Sequence, residues 1–137
     1  MVDLEMYDSA ITERDDMLAE PLTVQEMLHE ASNHSEKQIL IVDDELFNLQ
    51  AMMVVLKVSA QQLGYPPSLI ERIVDQELTG QGAVHQVIGN KKQYKLIITD
   101  LSMPVMDGYQ ATKKIRQYMA DNLLHQPVII ACTGHTE

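Results

Sequence analysis

The chain has 137 residues, a net charge of −10, 45% hydrophobic residues, 4% aromatics, no Trp and one Cys, Cys132. That length allows one domain, alone or with an appendage, whose core must come from Ile, Val, Leu and nine Met rather than from rings. A lone Cys excludes a disulfide framework and a Cys-based zinc site, and an acidic chain is not built to hold nucleic acid.

Residues 1–37 carry ten acids against Arg14 and Lys37, whereas residues 38–137 carry ten acids against eight Lys and Arg. The acidity therefore belongs to the first 37 residues, which read as an N-terminal segment of linker or short helices ahead of a domain over 38–137. Residues 1–20 lack the basic-then-apolar order of a signal peptide, and no run is long enough to span a bilayer. With a single Cys, this points to an intracellular protein without membrane insertion. Thr12 and Thr23 are candidate N-caps, each followed three residues later by an acid, Asp15 and Glu26. Val24, Met27, Leu28 and Ala31 form a modest apolar stripe at helical spacing, and Pro21 separates the two patterns. His29 and His34 are five apart and fall on different helix faces, so they are not a zinc-protease pair.

Gln38 to Val42 (QILIV) reads as a short buried strand running into Asp43-Asp44. Leu46 to Leu63 follows with helical periodicity through Leu49, Met53, Leu56 and Ala60, its Met residues assigned to the core, and Gly64 stops it as a C-cap glycine does. Tyr65-Pro66-Pro67 reads as a loop and Ile70 to Glu77 as a second, more exposed strand. Gly80-Gln81-Gly82 reads as a turn, because His85 stands where a dinucleotide fingerprint needs Gly. Ala83 to Ile88 is expected to be a short helix with Gly89-Asn90 as its exit. Tyr94 to Thr99 is the third strand, running into Asp100. Gly108 to Met119 is a helix whose Lys113, Lys114 and Arg116 read as a solvated face. Pro127 to Ala131 is the fourth strand, ending in Cys132-Thr133-Gly134, with Cys132 a small buried hydrophobe. Apolar strands alternating with helices predict a doubly wound α/β fold, a parallel sheet covered on both faces.

In such sheets ligands bind beyond the carboxyl ends of the strands. Three strands end there in polar residues: Asp43-Asp44, Asp100 and Thr133. Carboxylates brought together repel and call for a cation, and oxygen donors without His or Cys favour Mg²⁺. A carboxylate beside such an ion can act as a nucleophile toward phosphorus, with a hydroxyl such as Thr133 bonding the phosphoryl oxygens. Taken singly, Asp43, Asp44 and Asp107 would serve as helix N-caps and Asp100 as a turn residue.

ILIVDDE (39–45), YKLIITDLSMPVMDG (94–108) and PVIIACTG (127–134) together resemble the receiver domain of two-component response regulators and hybrid histidine kinases. The resemblance covers about 38–137 and implies a flavodoxin-like sheet in the order 2-1-3-4. It implies that Asp100 is the phosphoacceptor, taking its phosphoryl group from a phosphohistidine on a histidine kinase or a histidine phosphotransfer protein. It implies Mg²⁺ held by Asp43, Asp44, Asp100 and the backbone carbonyl of Ser102, and Thr133 as the switch hydroxyl. Met103, Pro104, Asp107 and Gly108 would shape the loop and start the next helix. Receivers carry a fifth strand with an active-site lysine, flanked by two further helices, and the sequence to Glu137 has no counterpart of them. The fourth strand, 127–131, is then expected to be an unpaired edge that invites homo-oligomerisation, unless the N-terminal segment covers it. Val2-Asp3-Leu4-Glu5-Met6 alternates as a half-buried edge strand would. Two other readings stand beside the signalling module. One is a phosphatase of the haloacid-dehalogenase type, against which Ser102 stands where a second Asp is needed. The other is a non-catalytic interaction domain that keeps only the fold.

Overall fold

The computed structural model describes residues 23–33 and 36–132. Along the chain lie α1 (Val24–Ser32), β1 (Ile39–Val42), α2 (Leu46–Gln62), α3 (Pro67–Ile73), β2 (Val74–Glu77), α4 (Gly80–Val84) continued by a wide π-turn (His85–Gly89), β3 (Leu96–Asp100), α5 (Gly108–Asp121) and β4 (Val128–Cys132). All strand pairings are parallel and the order is β2-β1-β3-β4, the flavodoxin-like arrangement expected from the alternation of strands and helices. The readings placed on Thr12, Val2–Met6 and Thr133 lie outside the described residues.

The central strand shows why the sheet sits where it does. All four residues of β1 are buried, so its unbroken apolar run serves both faces. Ile39 and Ile41 join Leu49 and Ala60 of α2 and Leu69, Ile70 and Ile73 of α3. Leu40 and Val42 join Ile97, Ile129 and Ala131 with Ala83, Val87, Ile115 and Met119 on the other side. The N-terminal helix belongs to the first of these layers, since Met27, Leu28 and Ala31 are buried within it. Its start is the Thr23 capping box: the Thr23 hydroxyl accepts from the Glu26 N–H at 3.1 Å and the Glu26 carboxylate accepts from the Thr23 N–H at 2.8 Å. Helix α2 ends in a glycine at φ +91°, with Tyr65 N–H donating to the Ala60 carbonyl and Gly64 N–H to Gln61. This is the Schellman arrangement that a left-handed Gly permits.

Two elements differ from the sequence reading. Ile70 to Glu77 is not one strand: Pro67 occupies the first turn of α3, which buries Leu69, Ile70 and Ile73 before the chain extends at Val74. The i, i+1, i+4 spacing of those three satisfies a helix, and Pro at N1 favours one. Gly80-Gln81-Gly82 is the first turn of α4, capped by the Thr79 hydroxyl, which accepts from the Gly82 N–H at 2.9 Å.

A polar cluster ties β2 to the chain entering β3. The Tyr94 hydroxyl donates to the Asp75 carboxylate at 2.5 Å, Lys92 Nζ lies 2.9 Å away and Lys37 Nζ 3.8 Å away. Burial pushes the Asp75 carboxyl up, but the Tyr94 and Lys92 bonds and the two ammonium charges outweigh it and hold it below the ordinary range. Burial and the Asp75 carboxylate raise the Tyr94 phenol. A depressed carboxyl adds stability above its unfolded pKa of about 4, and that stability is lost as pH falls through the lower folded value. A raised phenol adds stability that is lost as pH climbs beyond about 10. Urea unfolding of Tyr94→Phe across the pH range is therefore expected to show about 1.5–3 kcal/mol lower stability at pH 7. The same variant should have a flatter alkaline limb.

Candidate metal centre at the carboxyl edge of the sheet

Strands β1 and β3 are neighbours in register, Val42 opposite Thr99, so the residues that follow each of them emerge side by side. Asp43, Asp44 and Asp100 each place a carboxylate oxygen within 4.8 Å of the others; Asp43 and Asp100 are half-buried and Asp44 is exposed. Among the described residues this is the one cluster of potential metal ligands. The two-strand placement is what the sequence reading required of these residues, and it brings all three together.

Two of the three carboxylates, Asp43 and Asp100, are held by backbone or side-chain donors of the segments that follow them. Asp43 Oδ1 accepts from the Glu45 N–H at 3.0 Å and from Asn48 Nδ2 at 3.3 Å. Helix α2 is capped at Glu45 without a side-chain bond, so neither Asp43 nor Asp44 serves as the N-cap. Asn48 was not among the residues singled out. A lone amide in the first turn of an apolar helix was the signal that could have found it. Asp100 Oδ1 accepts from the Ser102 N–H at 3.2 Å. Burial holds the Asp100 carboxyl above its ordinary range, and the Asp43 and Asp44 charges add to this against the Ser102 and Leu101 N–H groups. Burial, then the Asp100 and Asp43 charges, also raise the half-buried Cys132 thiol, opposite Asp100 in the β3–β4 register.

The segment behind Asp100 is built as a support. Leu101 and Met103 are buried in the core, Ser102 and Pro104 are exposed, and the Gly108 N–H donates to the Leu101 carbonyl at 3.1 Å. Asp107 is the N-cap of α5, accepting from the Gln110 N–H at 2.9 Å while its own N–H donates to Gln110 Oε1 at 3.0 Å. A Cβ on Gly80 would strike the Met106 carbonyl, so α4 packs directly on this loop. Val105 stands at φ +68° with 88% of its surface exposed. A β-branched residue is strained there and buries almost nothing in return. Val105→Asn is expected to raise stability by about 1 kcal/mol, read as a higher melting temperature at unchanged urea m-value.

The basic face of α5 needs one correction. Lys113 and Lys114 are exposed, but Arg116 is 4% exposed and donates to the Pro127 carbonyl at 2.6 Å and to Gln126 Oε1 at 3.0 Å. It fastens α5 to the entry of β4 and is not part of a solvated patch.

These carboxylates are the oxygen-only donor set that suits a hard divalent ion with a few acids and several waters. A family model described as the response regulator receiver domain matches residues 39–137. Hybrid signal transduction histidine kinase B of Dictyostelium discoideum is 35% identical in an alignment of 116 residues that covers 77% of this chain and 5% of that kinase. The sensor protein EvgS of Escherichia coli (strain K12) is 35% identical over 98 residues, 72% of this chain and 6% of EvgS. This chain thus corresponds to a small part of either protein. Among solved structures, the receiver domain of the histidine kinase CKI1 from Arabidopsis thaliana, complexed with Mg²⁺ and BeF₃⁻, aligns with a TM-score of 0.52 at 27% identity. That alignment covers 74% of this chain and 68% of the CKI1 domain. A response regulator receiver domain protein from Clostridium thermocellum shares the fold with a TM-score of 0.53 at 22% identity, over 72% of this chain and 66% of its own.

Proposed function

This chain belongs to the response regulator receiver domain family, and on that premise we propose that Asp100 is its phosphoacceptor, loaded from a phosphohistidine with Mg²⁺ bound at Asp43, Asp44 and Asp100. The observation that carries the reading is the convergence of three carboxylates from two adjacent strand ends within 4.8 Å. A structural role alone would not gather like charges where burial already disfavours the ionised Asp100.

In the transfer, the P–N bond of the phosphohistidine breaks as a bond forms from an Asp100 carboxylate oxygen to phosphorus, and the imidazole leaves with the electron pair. When bound, Mg²⁺ supplies positive charge that offsets the oxygens of the moving phosphoryl group. The chain's own residues hold the nucleophile still. The Ser102 N–H limits rotation of the Asp100 carboxylate, and Asn48 and the Glu45 N–H fix that of Asp43. The backbone carbonyl of Ser102 is the proposed fourth protein ligand. The switch hydroxyl proposed at Thr133, from the family resemblance, lies outside the described residues. The donor partners are a histidine kinase or a histidine phosphotransfer protein, and the site is an intracellular one. Among the described residues no helix is long and apolar enough to cross a membrane.

The test is intact mass spectrometry after incubation with acetyl phosphate and Mg²⁺. A single phosphoryl adduct is expected, absent in Asp100→Asn and in metal-free samples. Absence of the adduct from folded protein refutes the assignment and leaves a receiver scaffold acting as an interaction domain.

A further inference from the structure

The Asp43 carboxylate is occupied at both oxygens. Asn48 Nδ2 lies 3.3 Å from Oδ1 and 3.3 Å from Oδ2, and the Glu45 N–H donates to Oδ1 at 3.0 Å. An ionised carboxylate only accepts, so Asn48 turns its NH₂ and not its carbonyl toward Asp43. Asn48 stands in the first turn of α2, and the next residue, Leu49, is buried in the core layer of Ile39 and Ile41. That anchor sets the rotation of the helix and aims position 48 back at the end of β1. Asn48 is itself exposed, so packing does not demand it.

The equal distances have a consequence for any cation at this edge. They place the amide nitrogen on the plane that bisects the carboxylate. A cation held by both oxygens must lie on that same plane and closer in, since Ca²⁺ sits roughly 2.3–2.6 Å from each of its oxygens. The amide and a chelated cation therefore compete for one side of Asp43. A cation that takes a single oxygen lies off the plane and does not meet the amide. The two hard divalent ions differ on this point. Ca²⁺ takes about six to eight oxygens in flexible geometry and often draws both from one carboxylate. Mg²⁺ demands a near-ideal octahedron at about 2.0–2.1 Å and fills it with a few single oxygens and several waters.

We propose that Asn48 is a positioning residue that sets the ion preference of the metal centre: astride Asp43, it bars two-oxygen chelation there and makes the centre favour Mg²⁺ over Ca²⁺. Asn48 acts through Asp43 and touches neither the ion nor the phosphoryl group. The proposal rests on the metal reading of Asp43, Asp44 and Asp100, and it is measured without any phosphoryl transfer. Groups that orient a ligand in this way tune metal affinity nearly as strongly as the ligands do.

Asn48→Ala and Asn48→Leu both remove the donor, the second at nearly constant volume, and both residues favour a helix. Proton–nitrogen correlation spectra of the whole chain, titrated with MgCl₂ or with CaCl₂, give the two dissociation constants from the amides of Asp43, Asp44 and Asp100. The amides of β1 and β3 report an intact fold. In both variants the affinity for Ca²⁺ is expected to rise about tenfold relative to that for Mg²⁺. Loss of a donor leaves Asp43 more available to either ion, so both affinities can rise together, and their ratio isolates the second oxygen. An unchanged ratio overturns the proposal, even if both affinities move or the melting temperature falls, and leaves Asn48 a tether between α2 and β1. If Mg²⁺ leaves those amides unmoved in the parent chain, the metal reading itself falls, and this proposal with it.

Discussion

If Mg²⁺ binds as proposed, Asp43→Asn/Asp44→Asn is expected to abolish the stabilisation by the ion and to remove the phosphoryl uptake proposed at Asp100, while the metal-free protein becomes more stable. Two of the three charges that meet within 4.8 Å disappear. Asp100 then loses the neighbours that raise its carboxyl alongside burial. Relief of like-charge repulsion sets the sign for the metal-free protein. For the parent chain, a ligand at about 100 times its dissociation constant adds about 2.7 kcal/mol of stability, on the order of 10 °C for a domain of this size. Thermal melts with and without Mg²⁺ give both numbers. A variant that keeps the full Mg²⁺ shift would show that the ion binds elsewhere and would remove the carboxylate cluster as its site. The asparagines retain shape and hydrogen-bonding capacity, so Asn48 and the Glu45 N–H still have an oxygen at position 43 to donate to.

Gly108→Ala should cost about 3 kcal/mol and lower phosphoryl uptake, although Ala is the better helix former by about 1 kcal/mol. The clash decides the sign. A Cβ at 108 would meet the Asp100 carbonyl oxygen and lie 2.9 Å from Leu101 Cα, both backbone atoms of the segment that carries Asp100, the proposed phosphoacceptor. Backbone cannot rotate away as a side chain can, so either α5 lifts or the Asp100 loop shifts. Gly82→Ala is the control. Its Cβ would meet the end of the Glu77 side chain, which can move, and the expected change is within about 1 kcal/mol. Urea unfolding of both variants measures the difference, and equal costs would show that the contact between Gly108 and Asp100 does not matter. The Gly of the MDG triplet is thus required by close approach and not by an unusual φ.

The sequence by itself determined the order of elements and the positions of the acids. QILIV and LIITD are short, continuously apolar and polar-ended, and two parallel neighbours of that kind must deliver Asp43, Asp44 and Asp100 to one edge. Asp107 and Thr23 were legible as caps because a cap is a contact across three residues. The split of Ile70–Glu77 was not legible, since Leu69, Ile70, Ile73 and Val74 fit either period until Pro67 is seen to open a helix. Nor was Arg116, whose partners Gln126 and Pro127 lie 10 and 11 residues away and beyond a turn. Gly80 read as a turn because the Met106 carbonyl against it comes from another loop. The N-terminal helix read as a linker because its own apolar stripe is small; only the presence of Leu49, Ile41 and Ile73 in the same layer makes Met27 and Leu28 core. Local spacing carries helix faces, caps and strand ends, which depend on neighbours within a turn or two. Burial of a charge, close backbone approach and the fit of one element on another depend on residues distant in the chain, and those only the tertiary structure decided.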